Sequence, residues 1–252
     1  MQSPGSVAFT IFGIDIMWYG ILIASGMILA IIISYVRAPR FGIEPDYILD
    51  MAIWTLPIGI VGARLYYVIF NYSLYQGDFL SILNTRNGGL AIHGGIIAGA
   101  ITVIVICRIK KISCLNVGDL VLPSVALAQA IGRWGNFFNE EAFGAPTDLP
   151  WAIIINGQKV HPTFLYESLW CLMLFFLLSY IGKHRQFTGQ VVCLYGILYS
   201  FERFFVEWLR TDSLMIGPFK QAQVLSLIAI IICAILYMYL KKCYNNIRTN
   251  NS

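Results

Sequence analysis

The sequence predicts an all-α membrane protein that crosses the bilayer about seven times. Apolar residues make up 58% of its 252 residues and charged residues only 12%, whereas a soluble domain carries roughly twice that charged fraction. The apolar residues are concentrated in runs of the length that a bilayer core requires, about 20 residues for a helix. We therefore interpret residues 1–252 as a single polytopic membrane domain.

Seven segments have this length and character, at 14–36, 48–70, 89–107, 117–136, 164–182, 189–208 and 222–240. Between the fourth and the fifth lies a longer polar stretch, residues 137–163, which contains Gly144, Pro146, Asp148, Pro150 and Gly157. Glycine and proline at this density favour turns over a membrane helix. We interpret this stretch as an extramembrane loop or a small subdomain.

Lysine and arginine are divided unequally between the two sets of loops, and this asymmetry indicates the orientation. If the N-terminus is outside, the inner segments hold ten of them, namely Arg37, Arg40, Arg108, Lys110, Lys111, Lys183, Arg185, Lys241, Lys242 and Arg248. The outer segments then hold four, namely Arg86, Lys159, Arg210 and Lys220. The excess predicts an outside N-terminus, a cytoplasmic C-terminus and an extracytoplasmic position for the loop at 137–163.

Ionised side chains inside a bilayer are costly, by a few kcal/mol each on insertion scales, and are therefore functional candidates. The candidates of this kind within the predicted spans are Arg64, Arg133, Glu167, Glu202, Arg203 and Glu207. His93 lies in the third span and Tyr19 near the start of the first. With the orientation above, six spans bring polar residues to one depth near the outer leaflet, which predicts a single shared site.

Helical spacing sharpens this prediction. Tyr195, Tyr199, Arg203 and Glu207 recur every four residues and form one stripe on the sixth span. The alternative is that Arg203 and Glu207 merely satisfy each other. Glu202 points about 100° away from the stripe, and we interpret it as structural.

On the fourth span, Gln129, Arg133 and Asn136 form a similar stripe. Two or more arginines in a partly dry pocket suit a phosphate, because the guanidinium fork matches phosphate oxygens and stays charged when partly buried. A lipid headgroup supplies the phosphate at this depth. The glycines around His93 (Gly88, Gly89, Gly94, Gly95 and Gly99) fit either close helix packing or close approach of the backbone to a ligand.

Other classes of site have little support. The net charge of +4 is small, and the basic residues sit in short loops, so the pattern does not indicate nucleic-acid binding. The six cysteines are scattered without a C-x-x-C pair, and only three histidines accompany them. We therefore expect no metal site and interpret the cysteines as packing or lipid-facing residues.

The segment GRWGNFFNEEAFG at 132–144 resembles the signature of the prolipoprotein diacylglyceryl transferase family. Further segments that resemble the family follow its order along most of the chain: Trp18-Tyr19-Gly20, GARLYYVIF around Arg64, GGLAIHGG around His93, HPTFLYE at 161–167 and YSFERFFVEWLR at 199–210. Glu140 departs from the pattern we expect, as does Glu202, and the spacing favours Glu141 over Glu140 as the functional residue.

The resemblance implies an enzyme of the bacterial cytoplasmic (inner) membrane, with its active site toward the outer leaflet. Its partners would be phosphatidylglycerol, membrane lipids and the lipobox cysteine of a prolipoprotein signal peptide, and it would need no cofactor. The cysteine thiol attacks the glyceryl carbon that bears the phosphate, a thioether forms, and glycerol phosphate leaves. The expected catalytic residues are Tyr19, His93, Arg133 and Arg203. The expected substrate-binding residues are Arg64, Asn136, Asn139, Glu141, Gly144, Tyr199 and Glu207.

His93 is our candidate for the general base, because imidazole titrates near neutral pH and a free thiol there is mostly protonated. The alternatives are that Tyr19 or Tyr199 takes the proton, or that the arginines alone promote thiolate formation.

Three rival functions fit the residues less well. An anion channel or transporter would place polar residues through the full depth of the membrane. An intramembrane protease would need a serine–histidine or paired-aspartate system within the spans. A purely structural membrane protein would have no reason to hold three arginines inside spans.

Overall fold

The computed structural model describes residues 2–76, 79–85 and 88–250, and most of them are helical. The helices are α1 (Trp18–Arg37), α2 (Pro45–Phe70), α3 (Phe79–Leu83), α4 (Ile92–Lys110), α5 (Cys114–Phe138), α6 (Thr163–Lys183), α7 (Gln190–Leu209) and α8 (Gln221–Asn250). Short 3₁₀ helices cover Ala38–Phe41 and Tyr72–Tyr75. Arg86, which was counted among the outer basic residues, lies outside the described residues.

Six of the described helices are long and apolar enough to cross a membrane. They are α1, α2, α4, α5, α6 and α8, so the chain is a multi-pass helical membrane protein. The predicted sixth span, 189–208, corresponds to α7, a helix of 20 residues. This helix does not reach the same apolar character, because Glu202, Arg203 and Glu207 all lie within it.

Several helix ends follow from local backbone preferences. Pro45 occupies the first position of α2, where its missing N–H costs no hydrogen bond. Gly42, with φ 66°, ends the preceding 3₁₀ helix in the left-handed conformation that glycine adopts without strain. Gly189, with φ 94°, turns the chain into α7.

The start of the first helix differs from the prediction. Residues Ile14–Met17 form strand β2, which pairs antiparallel with β1 (Val7–Ile11), so α1 begins only at Trp18. Phe12 and Gly13 connect the strands with φ values of 50° and 77°. Two consecutive residues with positive φ give a turn whose twist matches that of a hairpin. Residues 14–17 therefore belong to a hairpin and not to the membrane helix.

The loop at 137–163 is a small folded unit. Within it, β3 (Ile153–Ile155) pairs antiparallel with β4 (Gln158–Val160). Its apolar residues pack into a buried cluster of Phe137, Ile153, Ile155, Val160 and Phe164. A third hairpin, β5 (Met215–Ile216) with β6 (Phe219–Lys220), joins α7 to α8.

The chain divides into two compact units. Unit 1 comprises the chain up to Ser34 and the chain from Gly118 onward, and unit 2 comprises Tyr35–Val117. In unit 1, α7 packs against both α6 and α8. A buried core is formed by Ala126, Leu174, Leu178 and Val191. In unit 2, the main contact joins α2 and α4.

The first turn of α7 is held by a carboxylate of α5. Asp119 is fully buried, and its two oxygens accept hydrogen bonds from the backbone N–H groups of Gly189 (2.7 Å), Val191 (2.9 Å) and Val192 (3.0 Å). The Arg185 guanidinium also donates to Asp119, at 2.9 Å. A helix start leaves N–H groups without intrahelical acceptors, and a negative charge is favourable there. Asp119 therefore caps α7 from a neighbouring helix.

Candidate functional site

Three helices of unit 1 contribute to one network of ion pairs. Glu167 on α6 accepts a hydrogen bond from Nη1 of Arg203 on α7 (2.8 Å), and its other oxygen lies 3.3 Å from Nη1 of Arg133 on α5. The second terminal nitrogen of Arg203 lies 2.6 Å from Glu207, one turn further along α7. The Arg133 guanidinium also donates to the Tyr199 hydroxyl, at 3.2 Å. We call these five residues the arginine cluster.

The carboxylates of the arginine cluster are more deeply buried than its guanidinium groups. The Glu167 side chain is 0% exposed and that of Glu207 3%, whereas Arg133 and Arg203 are 21% and 20% exposed. Two positive and two negative charges balance within the network. The carboxylates thus orient the two guanidinium groups, which keep some exposed surface for an anion with several oxygens.

The predicted four-residue stripe on α7 is confirmed. The rings of Tyr195 and Tyr199 stack with centroids 5.6 Å apart, and Arg203 pairs with Glu207. The Tyr195 hydroxyl donates to Gln129 of α5 at 2.8 Å. The stripe therefore faces the predicted stripe of α5, and Arg203 and Glu207 do more than satisfy each other.

The end of the signature segment leaves α5 in a strained turn. Glu140 and Ala142 both have positive φ, 53° and 57°, which is uncommon for residues other than glycine. The amide N–H of Glu141 donates to the carbonyl of Asn136 (3.0 Å), and the Asn139 side chain donates to the Glu141 carboxylate (3.4 Å). Of the two adjacent glutamates, Glu141 is thus the one bonded to a second candidate residue.

Gly144 is required by close packing. A Cβ at this position would overlap the Cβ of His161, and the Gly144 N–H donates to the His161 carbonyl at 2.9 Å. Gly144 also forms a β-bridge with Arg210, just beyond α7. This contact links the signature loop to the end of the helix that carries Arg203.

Tyr19 lies beside the signature helix within unit 1. Its ring occupies the space that a Cβ at Gly135 would need. The neighbouring Trp18 stacks on Phe138, with ring centroids 5.0 Å apart. The start of α1 is thereby packed on the last turn of α5.

Arg64 belongs to unit 2 and is engaged by the backbone. Its side chain donates to the carbonyls of Ser81 (2.7 Å), Ile82 (2.8 Å), Gly88 (3.0 Å) and Gly89 (2.9 Å). The residue is only 6% exposed. Arg64 therefore holds the segment that leads into α4.

His93 is the second residue of α4, also in unit 2. Its ring centroid lies 6.2 Å from that of Tyr66 on α2. A Cβ at Gly94 would overlap the Gly62 carbonyl oxygen and Tyr66, so the two helices approach closely at this point. Of the two uses considered for this glycine, close helix packing is the one observed.

Comparison with known proteins agrees with the resemblance seen in the sequence. A family model for prolipoprotein diacylglyceryl transferase matches residues 6–239.

The chain belongs to the prolipoprotein diacylglyceryl transferase family.

Similar proteins include the phosphatidylglycerol–prolipoprotein diacylglyceryl transferase of Clostridioides difficile, 53% identical over 242 residues, with 96% of this chain and 98% of the relative covered. The protein of the same name from Finegoldia magna is 54% identical over 237 residues, covering 94% and 96%. That of Thermosynechococcus vestitus is 44% identical over 241 residues, covering 91% and 90%. The family predicted from the signature segment is confirmed.

Sequence reasoning noted Glu167 as a charge within a span but did not include it among the site residues. In this member of the diacylglyceryl transferase family, Glu167 contacts both arginines of the cluster. Its occurrence as a carboxylate inside an apolar helix was the available signal. The partners lie on two other helices, so no spacing rule within α6 could identify them.

Glu202 is also buried, at 6% exposure, and neither carboxylate oxygen has a hydrogen-bond partner among the described residues.

Just beyond the end of α7, the Arg210 guanidinium donates to both oxygens of Asp212, at 2.9 and 2.7 Å. This hydrogen-bonded pair lowers the pKa of Asp212 below its usual value. Among the described residues, no group of three or more histidine, cysteine or acidic side chains is arranged to hold a metal.

Proposed function

We propose that this chain transfers the diacylglyceryl group of phosphatidylglycerol to the thiol of a prolipoprotein cysteine, the lipidation step of bacterial lipoprotein maturation. The observation that carries the proposal is the family match over residues 6–239. Relatives named for this reaction align with the chain over nearly their whole length.

The arginine cluster suits the phosphate of the lipid. During transfer the thiol sulfur forms a bond to the glyceryl carbon while the carbon–oxygen bond to phosphate breaks. The electron pair goes to the phosphate oxygen, and glycerol phosphate leaves with additional negative charge. Guanidinium groups that are already oriented stabilise such a developing charge without reorganising, which is often the largest contribution to catalysis. We assign this role to Arg133 and Arg203, with Tyr199 and Glu207 supporting them.

The remaining candidates have supporting roles in this proposal. The Tyr19 ring of α1 lies against Gly135 of α5, and Asn136 is the next residue of α5. Asn139 and Glu141 form a polar pair beyond the end of α5. We propose that these side chains contact the lipid headgroup or the lipobox backbone. The remaining signature residue, glycine 144, shapes the loop by its close packing.

The two candidates in unit 2 differ from each other. Arg64 already donates to four carbonyls, so we expect it to act on substrate indirectly by holding the backbone at residues 81, 82, 88 and 89. His93 stays a prediction as the general base for the thiol. Its adjacent glycine is used for helix packing.

We further propose seven crossings, with α7 as the additional span, an outside N-terminus and a site toward the outer leaflet of the cytoplasmic membrane. The ten-to-four distribution of basic residues supports this orientation. Within unit 1, Arg133 lies near the end of α5, Glu167 near the start of α6, and Arg203 near the end of α7. If the N-terminus is outside and successive spans alternate in direction, these three helix ends all lie on the outer side of the membrane. An α7 that crosses the membrane keeps Arg203 and Glu207 in the arginine cluster and Glu202 buried, and so keeps these charges away from lipid.

The test is transfer of labelled diacylglycerol from phosphatidylglycerol to a lipobox peptide by the purified full-length chain. We expect Arg133→Lys and Arg203→Lys each to reduce kcat/KM by roughly 10²–10³-fold, because lysine restores the charge without the two-pronged donor. Arg108→Lys, at an exposed arginine near the end of α4, is the matched control and should transfer normally.

The two parts of the proposal fail separately. A wild-type chain that forms no labelled peptide contradicts the function itself. Full activity of both lysine variants would leave the function standing but contradict recognition of the phosphate through the guanidinium fork.

A further inference from the structure

The C-terminal end of α7 is held by a lysine from the next hairpin. A helix leaves its last carbonyl groups without intrahelical donors. At the end of α7, the ammonium group of Lys220 donates to the carbonyls of Glu207 (2.7 Å), Arg210 (2.7 Å) and Trp208 (3.4 Å). These three contacts match the three N–H donors of a lysine side chain.

Two further contacts complete this end of the helix. The backbone N–H of Ala145, in the signature loop, donates to the Leu209 carbonyl at 2.8 Å. The side chain of Gln223 on α8 donates to the Phe204 carbonyl at 3.3 Å. Every carbonyl from Glu207 to Arg210 therefore accepts a hydrogen bond from outside α7.

Lys220 is itself held in place by the hairpin. It is the last residue of β6 and pairs with Met215 of β5, and the N–H of Gln221 closes the hairpin on the Leu214 carbonyl at 2.8 Å. Its positive charge lies at the negative end of the α7 dipole, where it is favourable. The lysine is therefore built into the fold as a C-cap supplied by another segment.

The position of this cap relates it to the arginine cluster. Lys220 bonds the main chain of Glu207, and the Glu207 side chain pairs with Arg203. Freeing the last turn of α7 would loosen the Glu207 backbone and with it the direction of the Arg203 guanidinium. Displacements of about 1 Å in a positioning group can cost about 10²-fold in rate.

We propose that Lys220 is a positioning residue for diacylglyceryl transfer, which fixes the Arg203–Glu207 pair by capping the end of α7. The inference depends on the proposed function, because it assigns Arg203 to the phosphate of the lipid substrate. Among the described residues, the Lys220 ammonium group donates only to backbone carbonyls, and the proposed role needs no contact with substrate.

The experiment compares wild type, Lys220→Met, Lys220→Arg and the control Lys159→Met as full-length chains in phosphatidylglycerol-containing nanodiscs. Lys159 is also a hairpin lysine, on strand β4, and its side chain is exposed. For folded enzyme, kcat and KM for phosphatidylglycerol are measured together with hydrogen exchange of the amides at 204–210.

We expect Lys220→Met to lower kcat/KM by about 10- to 100-fold and to speed amide exchange at 204–210. Lys220→Arg should restore activity to within about threefold of wild type, because guanidinium N–H groups can reach several carbonyls. Lys159→Met should match wild type in both measurements. Wild-type kinetics for folded Lys220→Met, with or without faster exchange, would overturn the proposal.

A fold defect is separated from a positioning defect by a milder variant. If Lys220→Met does not fold, Lys220→Gln is measured instead, because its NH₂ group is still a hydrogen-bond donor but carries no charge. A loss of kcat/KM in folded Lys220→Gln with a normal unfolding temperature supports positioning. Wild-type kinetics in folded Lys220→Gln would assign Lys220 to folding alone. Absence of transfer by the wild type would instead count against the proposed function.

Discussion

Replacing Glu167 by glutamine tests whether one buried carboxylate organises the arginine cluster. Glutamine keeps the size of the side chain but has one carbonyl oxygen and one NH₂ group. The oxygen can still accept from Arg203, whose hydrogen bond to Glu167 is the shorter contact at 2.8 Å. The NH₂ group would then face Arg133, so two donors would oppose each other where an ion pair of 3.3 Å stands in the wild type.

The expected magnitude follows from these distances. With an effective dielectric constant of about 20, unit charges separated by roughly 3 Å attract by about 5–6 kcal/mol. Desolvation of buried ions offsets much of this attraction, and breaking a buried pair by removing one partner typically costs about 3–5 kcal/mol. For a chain of this size, such a loss corresponds to an unfolding temperature lower by roughly 6–20 °C. Misdirection of Arg133 should also reduce kcat/KM by about 10²-fold.

The assay combines thermal unfolding in detergent with transfer of labelled diacylglycerol to a lipobox peptide. Glu202→Gln is the matched control, because Glu202 is also buried yet has no hydrogen-bond partner among the described residues. Removing an unpaired buried charge should leave stability unchanged or increase it. Equal losses in the Glu167 and Glu202 variants would refute the reasoning, since burial of a carboxylate and not its bridging contacts would then be responsible.

Three other predictions concern different parts of the chain. Asp119→Ala should destabilise the protein by about 3–5 kcal/mol, because three N–H groups and Arg185 lose a buried charged acceptor. A loss of stability below about 1 kcal/mol, measured by thermal unfolding, would contradict the capping role. If His93 is the general base, His93→Gln should lower the transfer rate by roughly 10²–10⁴-fold; near-wild-type activity of His93→Gln at neutral pH would exclude the role. A reporter fused after Lys242 should be cytoplasmic and one inserted near Asp148 should be outside, and a cytoplasmic signal at Asp148 would reverse the orientation.

Most of the helices could be predicted because long apolar runs leave few alternatives in a membrane. The start of the first span could not, since Ile14, Ile16 and Met17 adjoin the apolar residues that follow and hydropathy treats them as one segment. Their pairing with 7–11 depends on the turn at Phe12 and Gly13, which brings the two strands together. Hydropathy similarly cannot show that the polar loop at 137–163 forms its own small apolar core.

The site was predictable where its contacts follow helical spacing. The stripe of Tyr199, Arg203 and Glu207 on α7 could be identified because its members are one turn apart. The pairing of Glu167 could not, since its partners lie on α5 and α7. Arg64 illustrates a different limit, because its partners are backbone carbonyls, and these carry no signal in the sequence.

The charges of α7 explain why this helix needs the rest of unit 1. Three ionisable side chains make it less apolar than the other long helices, and a helix of this kind is costly in lipid unless its charges are paired within protein. Glu167 of α6 and Glu207 share Arg203 between them, while Asp119 and Lys220 cap the two ends of the helix with charges of the signs its dipole favours. The contacts that pair the charges of α7 also fix the direction of its arginine. Stability of the helix and orientation of the proposed phosphate-binding group therefore depend on overlapping interactions.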